Sequence, residues 1–115
     1  MKEFIRSTRQ FTIPTIAAFL LGAAVASALA AEHTIRQKGK VFSAAELAVK
    51  KGDTIVFLND DNITHNVLSI TAGNDFNLGA IGPGNSTPVT FTKAAVVDII
   101  CAIHPGMKMQ VKVSE

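Results

Sequence analysis

The 115-residue chain has no tryptophan and no tyrosine, so phenylalanine, at seven positions, is its one large aromatic residue. It has one cysteine, Cys101. A lone cysteine excludes any disulfide within the chain and leaves an intermolecular link, a reactive thiol or a metal ligand. Charge is also sparse, at 17% of residues with a net of +2. Beyond residue 31 no stretch sustains the 3.6-residue apolar period of an amphipathic helix, which argues against a helical bundle.

Charge is missing altogether from residues 11 to 31. Lys2, Arg6 and Arg9 precede this run, Ile16 to Val25 form an apolar core, and Ala28-Leu29-Ala30 ends it in a small-x-small pattern. These are the three parts of a secretory signal peptide. Cleavage is expected after Ala30, giving a signal peptide over 1–30, a mature domain over 31–115 and export to the periplasm. The competing reading is an uncleaved anchor, because the run just reaches membrane-spanning length. Its alanine content, Pro14 and the cleavage pattern favour removal. Arg6 and Arg9 are not adjacent, so a twin-arginine signal is not indicated.

Removal of the signal leaves 85 residues with eight basic and eight acidic side chains. The basic character therefore belonged mostly to the signal, and nothing points to nucleic-acid binding. A domain of this size buries about 60–65% of its unfolded surface, enough for one modest core. Small exported domains usually reinforce such a core with paired cysteines, which this one cannot do.

The mature part reads as six to eight short strands. Residues 32–42 are polar and β-branched, broken at Gly39. Ser43 stands three residues before Glu46, a spacing that can cap one helical turn. Leu47 and Val49 alternate with polar neighbours, and Lys50-Lys51-Gly52-Asp53 is turn chemistry. Thr54–Leu58 is an apolar run of strand length, stopped by the polar Asn59–Asn62. Thr64–Ile70 reads as the next strand, with His65, Val67 and Ser69 on one face. Residues 71–87 are glycine-rich and read as a long surface connection with one short strand. Pro88–Thr92, Val96–Ile100 and Lys108–Val113 complete the set, the last with Met109, Val111 and Val113 inward. Such a series implies an all-β sandwich or barrel.

Cys101, His104 and Met107 fall within seven positions at the end of a strand, with Pro105-Gly106 supplying a turn. Thiolate, imidazole and thioether are a soft donor set, and a second imidazole from His65 would complete a trigonal His₂Cys site with a weak axial methionine, the arrangement of blue copper. His₂Cys also suits zinc. A Cys–His enzyme is a further alternative, although no orienting third group or oxyanion site is evident.

On His65-Asn66-Val67 and Cys-x-x-His-x-x-Met, residues 32–115 resemble the small cupredoxins, the blue-copper electron-transfer family that includes plastocyanin, pseudoazurin and amicyanin. The two residues between His104 and Met107 match the short ligand loop of the amicyanin type, associated with methylamine utilisation. The resemblance implies a Greek-key β-sandwich with one copper ion near one end, held by His65, Cys101, His104 and Met107. It places Met107 rather than Met109 as the axial ligand, because Val111 and Val113 stand at the family's fourth and sixth positions after Met107. It implies that the Asn66 N–H points at the Cys101 sulfur, that the Asn66 side chain braces the ligand loop, and that the His104 edge is the electron port. The chain departs from the family in having Val97 and Ile99 where aromatics are common, and Thr64 where proline is common.

The expected function is that of an exported, monomeric, non-enzymatic carrier of single electrons, working with protein partners such as a c-type cytochrome or a periplasmic dehydrogenase. A periplasmic copper carrier or buffer using the same residues is the alternative. A separate expectation concerns Ala31-Glu32-His33. Once Ala31 is free, its amine, two backbone amides and the third-position imidazole form a square-planar donor set for Cu(II) or Ni(II), against the simpler reading of a solvated terminal histidine.

Overall fold

The computed structural model describes residues 29–115, so the expected signal peptide lies outside the described residues except for Leu29 and Ala30. Among the described residues, nine strands run in the order β1 (Glu32–Lys38), β2 (Val41–Phe42), β3 (Glu46–Lys50), β4 (Thr54–Asn59), β5 (Leu68–Ser69), β6 (Phe76–Asn77), β7 (Ser86–Thr90), β8 (Ala95–Ile100) and β9 (Lys108–Ser114). They form two sheets, β2-β1-β4-β7 and β3-β9-β8-β5-β6. Two pairings are parallel, β1 with β4 and β3 with β9. Each follows from the chain visiting the opposite sheet between the two strands, since a parallel pair cannot be joined by a tight hairpin.

Period-two alternation fills the space between the sheets. Ile55, Phe57 and Asn59 of β4 are buried, as are Val97 and Ile99 of β8 and Met109, Val111 and Val113 of β9. Their neighbours point outward, as expected when one face of a sheet packs on the core. Phe57 meets Phe42 edge-on with ring centroids 6.3 Å apart, a favoured aromatic geometry.

Three local expectations change. The capped turn at Ser43 is absent. Instead the Ser43 N–H donates to the Arg36 carbonyl at 2.8 Å, and the Ser43 hydroxyl oxygen accepts the Arg36 N–H at 2.9 Å. The strand expected over 64–70 shrinks to Leu68–Ser69, and His65 forms an isolated bridge to Ile81. The ladder cannot run through Asn66, whose N–H is aimed at Cys101. The strand expected over 88–92 lies at Ser86–Thr90, where Pro88 sits on the edge strand β7 and needs no ladder hydrogen.

The turn before β4 is tied down by the buried carboxylate of Asp53. It accepts N–H groups from Lys50 at 2.9 Å and Ala31 at 2.8 Å, and lies 3.1 Å from His33 Nε2. Because the His33 ring is held there and its backbone lies in β1, a square-planar chelate over residues 31–33 would have to strip both contacts. The Asp53 carboxyl is lowered from 3.8 to about 2, chiefly by the Lys50 N–H, then by the Ala31 N–H and the His33 side chain. A depressed folded-state value means that the contribution is full above the unfolded value and is lost as the pH falls through the folded one. Asp53→Asn is therefore expected to lower the melting temperature at neutral pH and to flatten its decline between about pH 4 and 2, as read by circular-dichroism melts across an acid series.

Candidate metal centre

The loop 101–107 joins β8 to β9, which are antiparallel neighbours with Ile100 opposite Lys108. It closes on itself through Cys101 N–H to the Met107 carbonyl at 3.1 Å and Met107 N–H to the His104 carbonyl at 2.9 Å. Cys101 and Met107 are both buried in the core, and His104 is half-buried. Met109 is also buried, in β9 opposite Ile99.

His65 comes from the other side of the site. Its N–H and carbonyl exchange hydrogen bonds with Ile81 at 3.0 and 2.7 Å. The segment leading to it is shaped by Asn59, whose amide donates to the Ile63 and Ile81 carbonyls, each at 2.8 Å, while its oxygen accepts the Asp61 N–H at 2.9 Å. The His65 ring is fully buried, with Nε2 2.7 Å from Asp61 Oδ2.

Asp61 is itself fixed by the β1–β2 hairpin. Gly39 and Lys40 form its two-residue turn, with φ of 62° and 58°, the geometry of a type I′ turn. Positive φ at a lysine costs about 1 kcal/mol. The Asp61 carboxylate accepts both turn N–H groups, at 2.9 and 3.1 Å, which offsets that cost. Its carboxyl is held down at about 2, first by the His65 hydrogen bond and then by the Gly39 and Lys40 N–H groups. An ionised carboxylate can only accept, so His65 Nε2 carries the hydrogen and Nδ1 presents a lone pair. That Nδ1 is buried and has no hydrogen-bond partner among the described residues.

The orphaned nitrogen faces the other donors. One ligating atom each from His65, Cys101 and His104 lies within 4.8 Å of the others. Cys101 Sγ is 3.8 Å from His104 Nδ1, and the two imidazole rings are 5.0 Å apart at 66°. A buried lone pair without a partner is costly in a finished core, and a metal ion removes the cost. Two imidazoles with a thiolate suit copper. A profile of copper-binding proteins of the plastocyanin/azurin family matches residues 29–114.

The chain belongs to that family. Solved structures agree with this cupredoxin assignment. A copper-containing nitrite reductase from Thermus scotoductus SA-01 is similar at 28% identity and a TM-score of 0.68, over 73% of this chain but 22% of its own length. A reduced, Cu(I) form of an amicyanin variant is similar at 26% identity and a TM-score of 0.68, over 72% of this chain and 82% of its own. A purple cupredoxin from Nitrosopumilus maritimus, at 24% identity and a TM-score of 0.64, covers 71% and 99% and shares the fold. No curated protein sequence matches the chain.

Around the cupredoxin site, Asn66 makes the most connections. Its N–H lies 3.3 Å from Cys101 Sγ, and its side-chain oxygen accepts the Ala102 N–H at 3.2 Å. Its amide donates to Asn77 Oδ1 at 2.8 Å and to the Gly79 carbonyl at 2.9 Å. Its own carbonyl accepts the amide of Gln37, a fully buried residue of β1, at 3.3 Å. Asp61, Gln37 and Asn77 were not among the residues expected from the sequence. Asp61 stood in a polar run that reads only as a turn, beside the exposed Asp60.

Proposed function

We propose that this cupredoxin is an exported electron carrier with a type 1 copper site in which His65, Cys101 and His104 are the strong ligands and Met107 the weak axial one. The observation that carries the reading is the buried, unpartnered Nδ1 of His65 beside Cys101 and His104. Copper supplies a one-electron Cu(I)/Cu(II) couple. The protein's part is to hold the donors still. Asp61 fixes the tautomer and orientation of His65, the Asn66 N–H restrains the sulfur, and two backbone hydrogen bonds close the ligand loop. Four ligands leave no open coordination position of the kind a catalytic metal keeps, which supports a carrier rather than an enzyme. The likeness to nitrite reductase spans only 22% of that chain.

His104 is the proposed electron port. Ala102, Ile103, Pro105 and Gly106 around it are exposed, Ile103 by 51%, and offer a small apolar contact to a cytochrome or dehydrogenase partner. The charge-free segment and cleavage pattern before residue 31 support release into the periplasm.

Adding Cu(II) to the purified domain is expected to produce an intense thiolate-to-copper band in the red. Met107→Gln should shift that band while keeping it, because only the axial donor changes. A colourless protein that binds zinc or Cu(I) instead would replace electron transfer with metal carriage as the better reading.

A further inference from the structure

Asp53 ties its own turn to the stretch that opens the domain, and one of its donors differs in kind from the others. The residue is 5% exposed. Oδ2 accepts the Lys50 N–H of its own turn and faces His33 Nε2 from β1, while Oδ1 accepts the N–H of Ala31 at 2.8 Å. Ala31 is the residue that follows the Ala28-Leu29-Ala30 cleavage pattern. It is fixed at its other end too, because its carbonyl accepts the Thr54 N–H at 3.0 Å where β1 begins to pair with β4. The nitrogen that hydrolysis of the Ala30–Ala31 bond would release already sits at hydrogen-bond distance from a buried carboxylate.

We propose that Asp53 is the receptor for the α-ammonium group created by signal cleavage after Ala30, and that this ion pair latches β1 onto the mature domain. The proposal rests on the export reading given above. In the cleavage, water gives its hydroxyl to the Ala30 carbonyl carbon and its other hydrogen to the Ala31 nitrogen as the C–N bond breaks, and the proton lost by the new Ala30 carboxyl group converts the amine to –NH₃⁺. An amide with one hydrogen and no charge becomes a cation with three. The bond already has one ionised partner in the Asp53 carboxylate, and the new charge adds a direct attraction between opposite charges.

The surroundings accommodate this change. An open cleft lined by Leu29, Ala31, His33, Lys50, Asp53 and Ser114 gives the extra hydrogens access to water. Leu29 is 89% exposed, so losing it removes little packing. The charged or titratable groups around Asp53 are His33 from β1, Lys50 at the end of β3, which lines the same cleft, and the new ammonium itself, while Ser114 from β9 is neutral. Lys51 of the same turn is directed to Glu115, at 4.0 Å. The ammonium gains a partner on folding, so its titration is pushed above the ordinary α-amino range of about 7.7–8.0. The latch is then full at neutral pH and is lost as the pH rises through the raised value.

The test begins with the protein recovered from exporting cells, whose intact mass fixes its first residue. Part of the preparation is acetylated at the α-amine, which keeps one N–H but removes the charge. A protein beginning at Ala31 is expected to melt about 5 °C above its acetylated form at pH 7. The gap should close above the ammonium titration and in Asp53→Asn. If that variant does not fold, the titration of the ¹³C-dimethylated α-amine in the unmodified sequence decides, with a raised midpoint expected. A first residue other than Ala31 overturns both the processing reading and the latch. A first residue of Ala31 with equal melting temperatures, or with an unraised α-amine titration, overturns the latch alone.

Discussion

Asp61→Asn is expected to weaken Cu(II) binding by about 10–100-fold, the usual consequence of losing a group that orients a ligating histidine, and to raise the reduction potential by about 60–120 mV. The second figure follows from the first, because each factor of ten lost by Cu(II) but not by Cu(I) is worth about 59 mV for one electron. Cu(II) suffers more because it carries more charge and depends more on the electron donation that a carboxylate-bound imidazole provides. The carboxylate lies 2.7 Å from a fully buried ring, where its field is weakly screened. Asparagine keeps the size but must present an N–H either to His65 Nε2–H and the Lys40 N–H, which share Oδ2, or to the Gly39 N–H on Oδ1, and donor then faces donor. The strained hairpin turn loses its acceptor as well, so the apoprotein should melt lower. Asp60→Asn is the matched control. Asp60 is exposed and lies 3.8 Å from Arg36, a contact of the kind that contributes little. Redox titration of the visible band and competition for Cu(II) would read the difference between the two variants. An unchanged potential and affinity in Asp61→Asn would mean that Asp61 only pins the hairpin.

How much of this was legible in the sequence depended on the range of each contact. Cys101, His104 and Met107 share one loop, so their spacing alone brings them together. His65 stood out because a His₂Cys site needs a second imidazole and His65-Asn66-Val67 follows the Asp60-Asp61 turn. The alternation of Met109, Val111 and Val113 gave the inward face of β9 directly, since a period of two is a local property. What stayed hidden was tertiary. Nothing in Asn59-Asp60-Asp61-Asn62 tells which aspartate turns toward His65. That choice is made by the Gly39-Lys40 turn, 22 and 21 residues away, whose N–H groups collect one carboxylate. Gln37 carried a usable signal, because it shares parity with the inward Ile35 and is therefore a polar residue aimed at the core. Its partner, the Asn66 carbonyl, is 29 residues distant and had no local trace. The shortening of the strand at 64–70 has the same origin, because Asn66 spends its N–H on Cys101 and interrupts the ladder.

Asn66→Ala is expected to cost about 2–3 kcal/mol of apoprotein stability, a fall of about 10–20 °C in melting temperature for a domain this small. The side chain is buried and its three hydrogen bonds have no substitute. The Ala102 N–H loses its acceptor, the Gly79 carbonyl loses the Asn66 amide, and Asn77 Oδ1 keeps only the Gly79 N–H. The backbone N–H that meets Cys101 Sγ survives the substitution, so the thiolate-to-copper band should move little in energy while the protein becomes far easier to unfold. Asn66→Asp makes the complementary cut. It keeps an acceptor for Ala102 but sets a negative charge against the Asn77 and Gly79 oxygens, and should destabilise through that side alone. The contrast bears on function because His65-Asn66 and Cys101-Ala102 are tied residue to residue, by the Asn66 N–H to sulfur at 3.3 Å and the Ala102 N–H to the Asn66 oxygen at 3.2 Å. These bonds involve no metal. They hold the two ligand-bearing segments at a set separation in either oxidation state, which keeps the geometric change on electron transfer small. If Asn66→Ala melted within about 3 °C of the parent, the side chain would not be the tie, and the separation of the segments would have to come from the Cys101–Met107 and His104–Met107 backbone bonds of the loop.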